Sequence, residues 1–290
     1  AESFGPLRIF NYFTFRAILA TLTSLVFILF FGKTFIRFIA KQKYGQIIRD
    51  EGPQSHLEKK GTPTMGGLLI LFSIVFSCLS WGDLSNKYLL VSMAVTFLFG
   101  VIGLIDDYLK LRYSNSKGLS GRSRLLWEIL VALSASSLIY YFATSAEETT
   151  LFLPFFKDFA LQLGIWFILF STLVLVATAN AVNLTDGLDG LAIMPSVMVA
   201  AGMGIIAYIS GNAILSDYLN VPYLFYSTEI VIFCGALVGA GIGFLWFNTY
   251  PAQIFMGDVG SLSLGAALGI IAVSIRPVSY THLTLPTTEY

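Results

Sequence analysis

The chain has 290 residues, of which 56% are hydrophobic and only 12% are charged, and its mean hydropathy is +0.77. Soluble globular domains carry about 25% charged residues, so this composition excludes an ordinary soluble enzyme and indicates an integral membrane protein. The 17 Lys and Arg residues balance the 17 Asp and Glu residues. The net charge therefore gives no indication of a nucleic-acid partner, and none is expected.

Long apolar runs divide the chain. A helix needs about 20 mostly apolar residues to cross about 30 Å of bilayer hydrocarbon, and eight runs approach this length. They lack the apolar–polar alternation of an outer-membrane barrel. We therefore predict an all-α fold, a polytopic bundle of membrane helices. The predicted spans lie near residues 14–32, 65–82, 88–105, 125–143, 161–180, 191–210, 229–247 and 262–275.

The last run, 262–275, has only 14 residues. That is roughly 21 Å of helix, which is too short to cross a bilayer. Residues 276–290 follow without a helical period, and their stretch "VSYTHLTLPT" resembles a translated sequencing-adaptor sequence. We therefore predict one membrane-embedded domain over residues 1–275, truncated within its eighth span, and a non-native tail over residues 276–290. A natural polar tail is the alternative.

The distribution of basic residues predicts the topology. Seven of the 17 Lys and Arg residues lie in 33–60 and five lie in 110–124, and the two predicted spans between these segments place both on one side. The positive-inside rule makes that side cytoplasmic, so the N-terminus is predicted to be periplasmic. Counting the spans onward returns residues 181–190 and 248–261 to the cytoplasmic side.

Acidic residues gather at these cytoplasmic ends. Asp106 and Asp107 end the third span, Asp186 and Asp189 lie between the fifth and sixth spans, and Asp258 lies in the loop between the seventh and eighth. We predict that the three segments bring their carboxylates together at one depth. Taken singly, each has a simpler explanation as a solvated helix end, a cap of the sixth helix or a turn residue.

A carboxylate cluster indicates a cation, because clustered carboxylates repel each other and raise their own pKa values unless a cation lies among them. Oxygen ligands without histidine or thiol suit Mg²⁺, which fills its coordination shell with water and substrate phosphates. Nearby polar and basic side chains would bind the phosphates: Lys59, Thr64, Lys110, Lys117, Arg122, Arg124 and Asn183. We therefore predict Mg²⁺-dependent phosphoryl chemistry on a reactant that is already in the bilayer.

Four motifs carry a family resemblance: "GTPTMGG" at 61–67, "DDY" at 106–108, "NAVNLTDGLDGLAIMP" at 180–195 and "FNTYPAQIFMGDVGSL" at 247–262. Together they resemble the phospho-N-acetylmuramoyl-pentapeptide transferases, which form part of the wider family of polyprenyl-phosphate sugar-1-phosphate transferases. The resemblance runs over residues 4–275. It implies a ten-span, multi-pass enzyme of the bacterial inner membrane with its active site on the cytoplasmic face.

The same resemblance implies a reaction. Such an enzyme transfers phospho-N-acetylmuramoyl-pentapeptide from its UDP carrier to undecaprenyl phosphate, releasing UMP and forming lipid I with the help of Mg²⁺. This step belongs to peptidoglycan synthesis, and thus to cell-wall biogenesis, cell shape and cell division. The family analogy also suggests a homodimer.

Motif positions imply roles for individual residues. Asp106, Asp107 and Asp258 match catalytic aspartates, and Asp258 and Asn183 match positions with metal contacts. Phe255 falls on the uracil-stacking position. The substrate-binding candidates are Lys59, Thr64, Lys110, Lys117, Arg122, Asn180, Asn183, Asp186, Asp189 and Phe255.

The sequence also departs from the resemblance. The histidine-rich cytoplasmic loop and the last two spans of the family are not found within these residues, whose only histidines are His56 and His282. Three alternatives remain open: a sister transferase of N-acetylglucosamine-1-phosphate, a transporter or channel, and an inactive fragment. A transporter typically places polar residues at the bilayer midplane, whereas most of the predicted spans have no ionisable residue there.

Overall fold

The computed structural model describes residues 5–41, 62–113, 118–143, 149–152, 160–219 and 221–275. Within these ranges a 3₁₀ helix, Gly5–Asn11, precedes nine α-helices and one short antiparallel hairpin. The elements are α1 Phe13–Lys41, α2 Gly67–Trp81, α3 Lys87–Tyr113, α4 Gly121–Phe142, β1 Thr150–Phe152, β2 Ala160–Gln162, α5 Trp166–Thr185, α6 Ile193–Gly211, α7 Ala213–Tyr218, α8 Ser227–Asn248 and α9 Gly257–Ile275.

The predicted all-α membrane bundle is confirmed. In the described part of the chain seven helices are long and apolar enough to cross a bilayer: α1, α3, α4, α5, α6, α8 and α9. The second predicted span is the shorter helix α2, whose 15 residues extend about 22 Å. The chain is a multi-pass membrane protein.

The predicted start of the last span was wrong. The last span is not a 14-residue run, because α9 begins at Gly257 and has 19 residues. Asp258 therefore lies in the first turn of this helix and not in the preceding loop. The carboxylate of Asp107 accepts a hydrogen bond from the backbone N–H of Val259 at 3.2 Å, which caps a helix start that the sequence presents as a turn. The tail predicted over residues 276–290 lies outside the described residues.

Other helices also extend beyond their predicted ends. Helix α3 continues to Tyr113, so Asp106 and Asp107 lie inside it and do not terminate it. Helix α5 ends at Thr185, which places Asn183 in its last turn. Helix α6 begins at Ile193 after the N-cap residue Ala192, so neither Asp186 nor Asp189 caps it.

Helix α9 is the centre of the bundle. Its membrane-length segment is 89% buried, whereas that of α1 is 22% buried. It packs against α2, α3, α5, α6 and α8. Glycines allow these close contacts, since a Cβ on Gly67 would lie 2.1 Å from the backbone nitrogen of Gly260, and one on Gly103 would lie 2.3 Å from the carbonyl oxygen of Asp258. Backbone therefore meets backbone where α9 begins.

A separate ion pair joins the helices at the other end of the bundle. Arg16 at the start of α1 pairs with Glu229 at the start of α8 at 2.6 Å. Glu229 also accepts the backbone N–H of Asp83 at 2.8 Å, and Arg16 donates to the carbonyl oxygen of Trp81. The charges of Arg16 and Glu229 are thus satisfied by one another, remote from the acidic motifs.

Contact between α5 and α9 should depend on Gly265, where an added Cβ would lie 2.5 Å from the carbonyl oxygen of Thr178. Overpacking of this kind typically costs about 1–3 kcal/mol, and 1 kcal/mol moves Tm by about 2–4 °C in domains approaching this size. We expect Gly265→Ala to lower the Tm of the detergent-purified protein by about 2–12 °C.

Gly202→Ala is the matched control, because Gly202 lies inside α6 with no atom near the added Cβ. Alanine favours a helix by about 0.5–1 kcal/mol over glycine, so this variant should keep or raise the Tm. Equal Tm values for the two variants would contradict the proposed packing of α9.

Candidate active site

One ammonium group joins the third and ninth helices. Lys110 Nζ forms an ion pair with Asp106 Oδ2 at 2.6 Å, one turn earlier in α3, and also contacts Asp258 Oδ2 at the start of α9. The structure thus brings together two of the acidic segments predicted to converge. Its local cation is a lysine from the same helix as Asp106.

Asp106 and Asp258 differ in accessibility. Asp106 Oδ1 accepts the backbone N–H of Leu119 at 2.6 Å, and its side chain is only 3% exposed. Gly118, the residue before Leu119, has the left-handed conformation, with φ of +51°. A Cβ at this position would lie 2.5 Å from Asp106 Oδ1, so the contact requires a residue without a side chain. The side chain of Asp258 is 18% exposed. Asp258 is therefore the carboxylate that an incoming ligand reaches more readily.

Asp107 supports the start of α9. Besides capping Val259, Asp107 Oδ2 lies 2.6 Å from where a Cβ on Gly257 would be, and Thr64 Oγ1 lies 3.0 Å from that point. Gly257 has a φ of +75°, which other L-residues rarely adopt. This glycine therefore lets Thr64 and Asp107 both approach the first turn of α9.

The "GTPTMGG" motif pairs with the segment before α9. Phe255 donates its backbone N–H to the carbonyl of Pro63 at 2.8 Å, and Gly66 and Gly67 donate to the carbonyls of Phe255 and Met256 at 2.9 and 2.8 Å. Between them Met65 has a φ of +70°, an uncommon conformation for a non-glycine residue. Two motifs that are far apart in sequence thus form one backbone-paired segment, with Thr64 and Phe255 on it.

The segment between α5 and α6 is fixed to the same place. Asn183 Nδ2 donates to Asp258 Oδ1 at 3.1 Å. Asp189 Oδ2 accepts the backbone N–H of Ala252 at 3.2 Å, and buried Asn248 accepts from the N–H of Gly190 at 3.0 Å. The first contact makes Asn183 a direct neighbour of the candidate carboxylate, while the other two hold the loop before α9 against the loop before α6.

Asp186 lies at the edge of the cluster, as the C-cap of α5. Burial, followed by the negative charge of Asp258, raises the pKa of Asp186 to about 7. The carboxylates near the start of α9 therefore interact unfavourably at neutral pH when no further cation is present.

Glu128, which was not predicted, completes the network together with Arg124, which was predicted to bind phosphate. Glu128 is fully buried in α4, and its Oε2 accepts a hydrogen bond from Asn180 Nδ2 at 2.5 Å. Arg124, one turn earlier, lies 3.5 Å from Glu128 Oε1 and 3.9 Å from Asp258 Oδ2. Glu128 was missed by the sequence analysis, although a glutamate inside a predicted span is a signal in itself.

The remaining basic candidates are Lys59, Lys117 and Arg122. Lys59 and Lys117 lie outside the described residues. Arg122 is exposed in the first turn of α4, and the basic side chain that extends from this helix to Asp258 is Arg124. The described structure thus supplies Lys110 and Arg124 as the cations beside Asp258.

The side chains around Asp258 fit a Mg²⁺ ion that takes only a few of its ligands from the protein. The amide nitrogen of Asn183 donates to the Asp258 carboxylate, so the amide oxygen of Asn183 is the atom that would serve as a ligand, and Mg²⁺ commonly takes only one or two carboxylates from a protein. Across the ranges that the structure describes, no group of three or more His, Cys, Asp or Glu side chains is arranged to hold a metal ion. The residues therefore fit an ion that water and substrate phosphates would coordinate on its other sides.

The raised pKa of Asp186 predicts a pH dependence of stability. Because the folded protein binds this proton more tightly than the unfolded chain, the contribution is complete below about pH 4 and is lost as the pH rises through about 7. In buffer without divalent cations, we expect the Tm to fall between pH 5 and pH 8, and to fall less in Asp186→Asn. Thermal unfolding at several pH values measures this, and an equally steep fall in the variant would contradict it.

Family comparisons agree with this geometry. The family model for glycosyl transferase family 4 matches residues 89–276, a segment that runs from α3 through α9 and contains Asp106, Lys110 and Asp258. The phospho-N-acetylmuramoyl-pentapeptide-transferase signature 1 matches residues 59–71, the segment that pairs with the start of α9. Because the first match covers well over half of the chain, the chain belongs to glycosyl transferase family 4, and the two matches together place it among the polyprenyl-phosphate sugar-phosphate transferases.

Proposed function

We propose that this protein transfers phospho-N-acetylmuramoyl-pentapeptide from UDP-N-acetylmuramoyl-pentapeptide to undecaprenyl phosphate, giving lipid I and UMP. One observation carries the proposal: the segment that matches the pentapeptide-transferase signature is hydrogen-bonded to the residues before Asp258. The signature and the carboxylate cluster are therefore parts of one site. The site lies at the end of a membrane bundle, where a soluble nucleotide and a lipid phosphate would both have access.

Cationic groups at the start of α9 would bind the diphosphate of the UDP substrate. Lys110 and Arg124 flank Asp258, and the N-terminus of α9 adds backbone N–H groups with a partial positive charge. Phe255 is half-buried on the signature-paired segment and is proposed to stack on the uracil ring. These groups would orient the phosphorus atom that is attacked.

Asp258 and Asn183 are the residues that would hold Mg²⁺. When bound, this ion would neutralise the charge that develops on the departing UMP. The protein's own contribution is to keep the Asp258 carboxylate directed at the substrate, which the hydrogen bond from Asn183 Nδ2 does at 3.1 Å.

The acceptor needs little help from a base. A phosphate monoester has a second pKa of about 6, so undecaprenyl phosphate is largely ionised near neutral pH. Both oxygens of Asp106 are engaged, by Lys110 and by the N–H of Leu119. We therefore propose direct attack: an acceptor oxygen forms the new P–O bond while the bond to the UMP oxygen breaks. Asp106 positions Lys110 in this step and forms no covalent intermediate.

The proposal also assigns a location. The basic residues at 33–60 and 110–124 support a cytoplasmic site in a bacterial plasma membrane, where the soluble UDP substrate is available. The role in peptidoglycan synthesis and the homodimer rest on the family resemblance alone.

Membranes that contain the protein should release UMP from UDP-N-acetylmuramoyl-pentapeptide when undecaprenyl phosphate and Mg²⁺ are supplied. We expect Asp258→Asn to reduce the rate at least 100-fold, because it removes the accessible charge beside the diphosphate. Asp217→Asn, which alters an exposed carboxylate in α7, should keep the wild-type rate. A coupled assay for UMP measures both variants.

The choice of sugar separates the proposal from its nearest alternative. Faster UMP release from UDP-N-acetylglucosamine than from the muramoyl pentapeptide would identify a sister transferase instead. Near-normal turnover by Asp258→Asn would remove Asp258 from the reaction. Release of no UMP from either substrate, with solute flux across vesicles, would contradict a transferase altogether.

A further inference from the structure

Glu128 carries a charge that the proposed reaction does not use. It lies two turns inside α4 with no exposed surface, although burial of a carboxylate is costly unless the charge is paired and hydrogen-bonded. The predicted span 125–143 otherwise has no charged residue. A buried acid in such a helix needs a physical explanation.

Only one of the two carboxylate oxygens of Glu128 accepts a hydrogen bond from a described residue. Oε2 receives the hydrogen bond from Asn180, but Oε1 accepts no hydrogen bond from any described residue and makes only the 3.5 Å ion pair with Arg124 Nε. Charged hydrogen bonds of this type are about 2.7–2.9 Å long. Glu128 therefore holds the guanidinium by charge, at a distance that leaves it room to adjust.

Arg124 in turn lies between three acceptors. Its Nη2 donates to Asn180 Oδ1 at 3.3 Å, and its Nη1 lies 3.9 Å from Asp258 Oδ2, which Lys110 already contacts. A guanidinium has five N–H donors in a rigid fork. With Nε facing Glu128 and Nη2 facing Asn180, the Nη1 end is the one directed to the space beside Asp258.

The other buried glutamate shows what a fully closed pair looks like. Glu229 binds Arg16 through both oxygens, at 2.6 and 3.2 Å, and also accepts the N–H of Asp83. That pair joins helices at the end away from the site. The pair at Glu128 is open on the side that faces Asp258, so a purely structural role does not account for its geometry.

We infer that Glu128 is a positioning residue, which holds the Arg124 guanidinium ready for the substrate diphosphate and keeps it from closing on Asp258. This inference rests on the proposed function, since the diphosphate is that of the UDP substrate. Without the charge of Glu128, the nearest full anion to Arg124 is the Asp258 carboxylate. A direct pair there would occupy both the arginine donors and the carboxylate that the substrate needs.

The test uses the charge-neutral substitution Glu128→Gln, which keeps an oxygen for Asn180. We expect KM for the UDP substrate to rise on the order of tenfold with kcat changed less than about twofold, because Arg124 is lost as a uniform binding group. UDP binding measured by calorimetry should weaken by a similar factor. Glu229→Gln is the matched control: it also neutralises a buried, arginine-paired glutamate, and it should lower the Tm while KM and UDP affinity stay at their wild-type values.

A charge swap provides the rescue. Combining Glu128→Gln with Asn180→Asp returns a carboxylate next to Arg124 and restores a hydrogen bond between the two side chains with donor and acceptor reversed. We expect this double variant to recover most of the lost UDP affinity. Failure to recover it, or equal KM changes in the Glu128 and Glu229 variants, would overturn the inference.

The two readouts separate this inference from the proposed function. Wild-type protein that binds UDP but releases no UMP refutes the reaction while the binding measurements still decide the role of Glu128. Wild-type protein that does not bind UDP leaves Arg124 without a diphosphate and refutes the inference as well.

Discussion

The contact between Lys110 and the two carboxylates of Asp106 and Asp258 holds the polar end of this protein together. It joins α3 to the first turn of α9, which is the most deeply buried membrane helix among those described. The approach is possible because Gly103, one turn before Asp107, leaves no side chain between the two backbones. A small residue within the bundle thus sets the position of the charged residues at its end.

The arrangement distributes charge in a way that suits an anionic ligand. Asp106 and Asp107 are occupied by protein groups, the N–H of Leu119 and the N–H of Val259 respectively, and they serve to position Lys110 and the start of α9. Asp258 remains the accessible carboxylate, flanked by Lys110, Arg124 and Asn183. The two cationic side chains would bind phosphate, and the accessible carboxylate would bind a metal ion. Family membership and local geometry therefore support the same interpretation.

The sequence was sufficient for the fold class and for the convergence of the acidic segments, because apolar runs and basic loops follow directly from the cost of placing polar groups in hydrocarbon. It was insufficient for helix ends. The residues Gly257–Ser261 have the composition of a turn, and only a cap supplied by Asp107, distant in sequence, makes them the start of a helix. Glu128 is visible in the sequence as an acid inside a predicted span, but its role was missed because its partner Asn180 lies on another helix and nothing local in the sequence joins the two.

A double-mutant cycle on Lys110 and Asp258 tests the central contact most directly. Lys110→Met leaves both Asp106 and Asp258 without this ammonium group, and Asp258→Asn leaves Lys110 with Asp106 alone, whereas the double change removes the Lys110–Asp258 pair as a whole. The free energies of unfolding of the purified protein should therefore show the double variant to be less destabilised than the sum of the singles, with a coupling of about 0.5–3 kcal/mol. Additive effects would mean that α3 and α9 do not meet through this pair, and the account of the site would be wrong.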